Sequence, residues 1–199
     1  ENVHVTNSDA NLYVGNFLTV DYDFKAITEG VKEGNSVLKV LAGDEDGIFA
    51  VIDMIYCSSN GKTRLEIPDA LLGKRPGIEI LPMTTEQNAG AIYRVDFTNR
   101  VVGKVCSTLS ISSETVEYAI SSVFIPEFPQ DAVCAYLAFY NQNNQLQKTI
   151  AIPVSAQTKE TVLHGTIPLD GAFKTKLFIY EDITALHPCC DSKTAVSFS

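Results

Sequence analysis

Five residues near the end of the chain, His187-Pro188-Cys189-Cys190-Asp191, hold the densest set of metal-ligating and nucleophilic side chains in the sequence. Zinc takes about four ligands in a tetrahedron, with paired cysteines usually two to four residues apart. Adjacent cysteines reach one tetrahedral ion together only with difficulty, so this spacing reads as a surface loop carrying thiols. Oxidation could join one of them to Cys106 or Cys134, or to each other as a vicinal disulfide. Asp44-Glu45-Asp46-Gly47 is the most acidic point and could attract calcium. A helix-loop-helix calcium loop needs alternating ligands and a Glu at its twelfth position. Counting from Asp44, that position is Ile55. A turn between strands explains the acidic run without a metal.

Catalytic groups are sparse. The three histidines, His4, His164 and His187, lie far apart in the sequence. Alternation turns His164 away from Leu163 and Ile167, toward solvent. Neither a Gly-x-Ser-x-Gly elbow nor a His-Glu-x-x-His pair occurs. Gly73 to Gly77 is rich in glycine only locally; Lys74-Arg75-Pro76 within it reads as a turn between strands, not a phosphate cradle. The sequence therefore assigns no catalytic, cofactor-binding or metal-binding residue. Sugar binding calls for aromatic platforms, best made by Trp, and the chain has none. Tyr13, Phe17, Tyr56, Tyr136 and Tyr140 remain, several of them inside strands where a core would claim them.

Composition narrows the partners. The formal net charge is -9, and the first 100 residues carry 9 basic and 15 acidic side chains against 6 and 9 in the remainder. Neither half has a basic cluster, which argues against nucleic-acid binding by phosphate neutralisation and against attachment to anionic lipid. No apolar run approaches the ~20 residues of a spanning helix, so no membrane insertion is expected. Five cysteines cannot all pair within one chain, and most read as small buried or half-buried thiols. The chain begins at Glu1 without an initiator Met, as expected if a leader has been removed or if this is part of something longer.

The elements that must position these residues are strands. Thr19-Val20-Asp21-Tyr22-Asp23-Phe24 and Thr115-Val116-Glu117-Tyr118-Ala119-Ile120 share one pattern. Each alternates apolar with polar or small residues, the period of a half-buried strand. Further matches follow in the same order. Ile67-Pro68 answers Ile167-Pro168, Ile78 and Ile80 answer Leu177 and Ile179, and Val95-Asp96-Phe97 answers Val196-Ser197-Phe198. This predicts an internal repeat: two tandem seven-stranded antiparallel β-sandwiches, residues 1–99 and 100–199, in an all-β chain. Strands are expected over 1–5, 19–24, 37–41, 48–56, 63–67, 78–81 and 91–97 in the first copy. Ser58-Ser59-Asn60-Gly61 reads as a hairpin turn. Asp69-Ala70-Leu71-Leu72 and 84–89 could each make one helical turn. Asn141-Gln142-Asn143-Asn144 keeps turn formers where the first copy has its acidic turn.

Strands of this number and spacing resemble immunoglobulin-like or fibronectin-III-like modules, without the core Trp and the paired inter-sheet cysteines of antibody domains. The stretches Ala135-Tyr136-Leu137-Ala138-Phe139-Tyr140, Thr166-Ile167-Pro168-Leu169 and Leu177-Phe178-Ile179-Tyr180 are also similar in rhythm to small sandwich proteins of Bacteroidetes. The resemblance implies architecture and carries over no site residue. Duplication, a short linker, many strands and no convergent site point instead to a non-catalytic structural or adhesive module, extracellular, at a cell surface or in a virion. Other protein subunits would pair with edge strands such as Val3 to Val5 or the last strand. A glycan-binding module and an enzyme with its site between the copies are the alternatives.

Overall fold

The computed structural model describes residues 3–5, 10–23, 36–43, 49–57, 60–81, 93–184 and 186–197. These residues are β-strands and their connections, with one short 3-10 turn and no α-helix among them. The chain is all-β. It divides into two compact units, Glu1–Val101 and Val102–Ser199.

The first unit contains β1 (Val3–Val5), β2 (Leu12–Val14), β3 (Phe17–Asp23), β4 (Ser36–Gly43), β5 (Phe49–Cys57), β6 (Asn60–Glu66), β7 (Arg75–Leu81) and β8 (Tyr93–Asp96). Two antiparallel sheets form, in the orders β1-β3-β6 and β5-β4-β7-β8. Alternation decides the faces. Leu18 and Val20 of β3 are buried, as are Leu65 of β6 and Ile67 just beyond it, while Arg64 and Glu66 are exposed. The expected turn at Asp69-Ala70-Leu71-Leu72 is the 3-10 turn Asp69–Leu71, which buries Leu71. It closes at Gly73, whose φ of +79° strains any residue with a Cβ.

Two stretches that read as turns are strand instead. Asn60-Gly61 makes no hairpin: both residues lie in β6, opposite Asp23 and Tyr22 of β3. Because β5 pairs with β4 and β6 with β3, the chain between them changes sheets instead of turning back. Lys74-Arg75-Pro76 is not a loop either. Arg75, Pro76 and Gly77 open β7 and face Gly43, Ala42 and Leu41 of β4. The acidic run Asp44–Gly47 and the turn expected over 84–89 lie outside the described residues.

The second unit contains β9 (Val101–Ser112, starting on the last residue of the first unit), β10 (Thr115–Phe124), β11 (Val133–Tyr140), β12 (Leu146–Val154), β13 (Thr161–Pro168), β14 (Lys174–Asp182), β15 (His187–Pro188) and β16 (Lys193–Val196). Within the unit, the strands of one sheet run β13-β10-β9. The other runs β12-β11-β14, with β15 and β16 both paired to β14. The ladders described between these strands are antiparallel. The core draws on Val116, Ile120 and Phe124 of β10, Leu137 and Phe139 of β11, and Leu177 and Ile179 of β14, none more than 3% exposed. Removing these side chains from water is the main stabilising term, about 1.5–3 kcal/mol each.

Tight turns close the ladders. Ser113, at φ +54°, makes the two-residue β9–β10 turn with Glu114, and the Thr115 hydroxyl donates to the Ser112 carbonyl at 2.9 Å. The expected turn at Asn141–Asn144 joins β11 to β12. The Asn141 side-chain oxygen accepts from the Asn143 and Gln145 N–H groups at 2.9 and 3.0 Å. Such side-chain acceptance is why Asn favours turns.

Candidate functional site

The segment His187 to Asp191 does not gather its ligands. His187 and Pro188 form β15 against Asp182 and Tyr180 and are exposed. Cys189 is buried, its N–H donating to the Ile179 carbonyl at 2.9 Å. Cys190 points elsewhere, with its sulfur 4.0 Å from the Ser107 hydroxyl of β9. Burial pushes the Cys190 thiol up from its ordinary pKa, so it stays protonated. Among the described residues no three His, Cys, Asp or Glu side chains cluster to hold a metal. Cys106 is an exposed thiol and Cys134 a half-buried one. His164 is exposed on β13, as alternation predicts, and faces Ala119 of β10. His4 lies in β1 opposite Asp21.

The aromatic residues divide by face. Tyr13 is a core residue, 1% exposed. Phe17 is half-buried, with the Arg64 guanidinium 4.2 Å above its ring. Tyr56 sits in β5, its side chain outside the described set. Tyr136 and Tyr140 are not core. Leu137 and Phe139 take the buried face of β11, which turns the two tyrosines outward. There Tyr136 faces Phe178 across the ladder, and Tyr180 lies 6.3 Å from Tyr136 and 6.1 Å from Phe178 between ring centroids. The Cys134 side chain beside Tyr136, with burial second, raises the phenol pKa. Phe178 and Tyr180, which the sequence presents only as part of a strand, complete this row. Their spacing of two, set against Leu177 and Ile179, is the signal that would have found them.

A concavity opens at one pole of the second unit. Its volume is about 710 Å³, and three separate turns build it: Ser113-Glu114, Asn141 to Asn143, and Pro168 to Phe173. Ser113, Asp170 and Gly171 hold positive φ there, at +54°, +51° and +75°. The turns are tied together by backbone bonds, Leu169 N–H to Glu114 at 2.7 Å and Phe173 N–H to Tyr140 at 2.8 Å. Lys148 pairs with Asp170, and Lys174 donates to the side chain of Asn144.

One sheet edge is open among the described residues. There β13 pairs with β10 alone, and its residues are exposed except for half-buried Gly165 and Ile167. All eight residues, Thr161 to Pro168, lack a formal charge. Val162 is 53% exposed and Leu163 37%. An uncharged edge of this length leaves a row of backbone donors and acceptors open to another strand.

No family model matches the chain, and no curated protein matches it. Solved structures give weak likenesses. One is pT26-6p, with TM-score 0.29 and 8% identity over 89% of this chain. Another is the Amycolatopsis orientalis exo-chitosanase CsxA in complex with PNP-beta-D-glucosamine, with TM-score 0.26 and 8% identity over 99% of this chain. The chain spans 58% of the length of the first and 26% of the second. Likeness at this level fixes neither a fold family nor an activity.

Proposed function

We propose that the chain is a non-catalytic structural or adhesive module of a cell-surface or virion assembly. It is built as two tandem immunoglobulin-like β-sandwiches, 1–99 and 100–199, and it joins other protein subunits by edge-strand pairing at β13. The uncharged, one-sided β13 carries this reading, because an open edge is completed most directly by a neighbouring strand.

The tandem reading is supported by strand order. β1-β3-β6 corresponds to β9-β10-β13, and β5-β4-β7-β8 to β12-β11-β14-β16. Cross-strand partners support it as well. Val3, Tyr22 and Gly61 lie side by side across the first unit, and Leu109, Tyr118 and Gly165 across the second. Ile78 and Leu177, matched in the sequence, are both fully buried.

Light scattering across a concentration series tests the proposal, alone and with the other subunits of the native assembly. Wild-type chain should enter larger species, and V162K/T166K, which places two lysines on the outward face of β13, should not. Undiminished assembly of that variant would refute the edge as the contact.

A further inference from the structure

We propose that the polar cavity of the second unit is a saccharide site, taking one or two neutral hexopyranose rings. The cavity is separate from the proposed docking edge, sharing only Pro168 at the end of β13. Elimination by chemistry leads to it. The described lining contains no Lys or Arg, and Glu114 and Asp170 border it, in a chain of net charge -9, so an anion is repelled. The nearby cations are engaged, Lys148 with Asp170 and Lys174 with Asn144. The absence of any three-ligand cluster among the described residues disfavours a metal ion. An apolar ligand would bury the Asn, Gln and Glu side chains without partners, which is costly.

A neutral polyol satisfies all of these groups. Glu114, Gln142 and Asn143 project from two turns, and each offers paired or adjacent polar atoms suited to vicinal hydroxyls. The half-buried Phe173 supplies an apolar surface for the C–H face of a sugar ring. Buried Leu169 and Ala172 add to the apolar part of the lining. The volume of about 710 Å³ falls within the ordinary range for small-molecule sites. Asn141 is spent on bracing: its side-chain oxygen holds two N–H groups, and its amide donates to Gln145 at 2.9 Å. Bracing of this kind fixes the turns before a ligand arrives and lowers the entropic cost of binding.

The test titrates neutral oligosaccharides of glucose, galactose, mannose and N-acetylglucosamine into the isotope-labelled 199-residue chain, up to millimolar concentration. The same sugars displayed on a surface form a second arm that separates free from immobilised ligand. At least one sugar should shift the amides of Ser113, Asn143 and Gly171. Q142A/N143A should weaken that binding roughly tenfold, the effect of losing two hydrogen bonds, with the remaining amide spectrum unchanged. E114A should do the same from the neighbouring turn. If no sugar in either arm moves these amides, or if both variants bind like wild type, the assignment is overturned.

Discussion

Tyr118 occupies the space that a side chain at Gly165 would fill. A Cβ built on Gly165 falls 2.2 Å from both Cζ and the hydroxyl oxygen of the Tyr118 ring, its partner across the β10–β13 ladder. The ring covers a stretch of strand that would otherwise show bare backbone to water. In the first unit the backbone repeats the pairing, Tyr22 opposite Gly61.

Gly165→Ala should therefore destabilise the chain by about 1–3 kcal/mol in urea denaturation, because the ring must move aside. In a double-mutant cycle with Tyr118→Ala the losses should fall short of additive, since the alanine at 165 clashes only while the ring is present. Additive losses would mean that the two residues do not interact.

Gly103→Ala should cost more than Gly165→Ala. Its Cβ would sit 2.6 Å from Cδ1 of Phe124, a ring 3% exposed and stacked on Phe128 with centroids 4.9 Å apart. Tyr118 is half-buried and can yield toward solvent, whereas Phe124 has no such exit. Midpoints of thermal unfolding for the two variants, measured side by side, check the order.

Thr175→Val should be neutral or stabilising by about 1 kcal/mol. The Thr175 hydroxyl is wholly buried in β14 and has no hydrogen-bond partner among the described residues. A buried polar group without a partner costs free energy that a methyl of similar size does not. A loss on chemical denaturation would show that the hydroxyl is satisfied after all.

Cys190 should resist alkylation that exposed Cys106 accepts. Its raised pKa has a further consequence with a definite sign. An unfolded thiol ionises near pH 8.5 while the folded one holds its proton, so this contribution is complete below that value. Stability is then lost as pH rises from the unfolded pKa toward the raised folded one. Stability of wild type against Cys190→Ser from pH 7 to pH 10 reads the effect, since serine does not titrate there.

Much of this architecture was legible because alternation is a strong signal. Val20, Val116 and Ile120 declared the buried face of their strands from sequence alone. Register was not legible. Val20 faces Thr63, but its counterpart Val116 faces Ile167, so Ile67-Pro68 and Ile167-Pro168 stand four residues apart in the two ladders. Val95 faces Ile78, whereas Leu177, the counterpart of Ile78, faces Lys193 and not Val196. Short motifs match at strand ends, where loops change length freely, while ladders are set by pairs far apart in sequence. Asn60-Gly61 misled because a local turn signal cannot reveal that the next strand joins another sheet. The polar cavity was invisible for a similar reason, its turns being brought together only by the ladders between them.

Amide hydrogen exchange over Thr161 to Pro168, in the isolated chain and in its native assembly, bears most directly on the proposed role. The amides on the open side of β13 should exchange quickly when the chain is alone and become protected on assembly, with V162K/T166K abolishing the change. Equal exchange in the two states, with the assembly intact, would contradict the account.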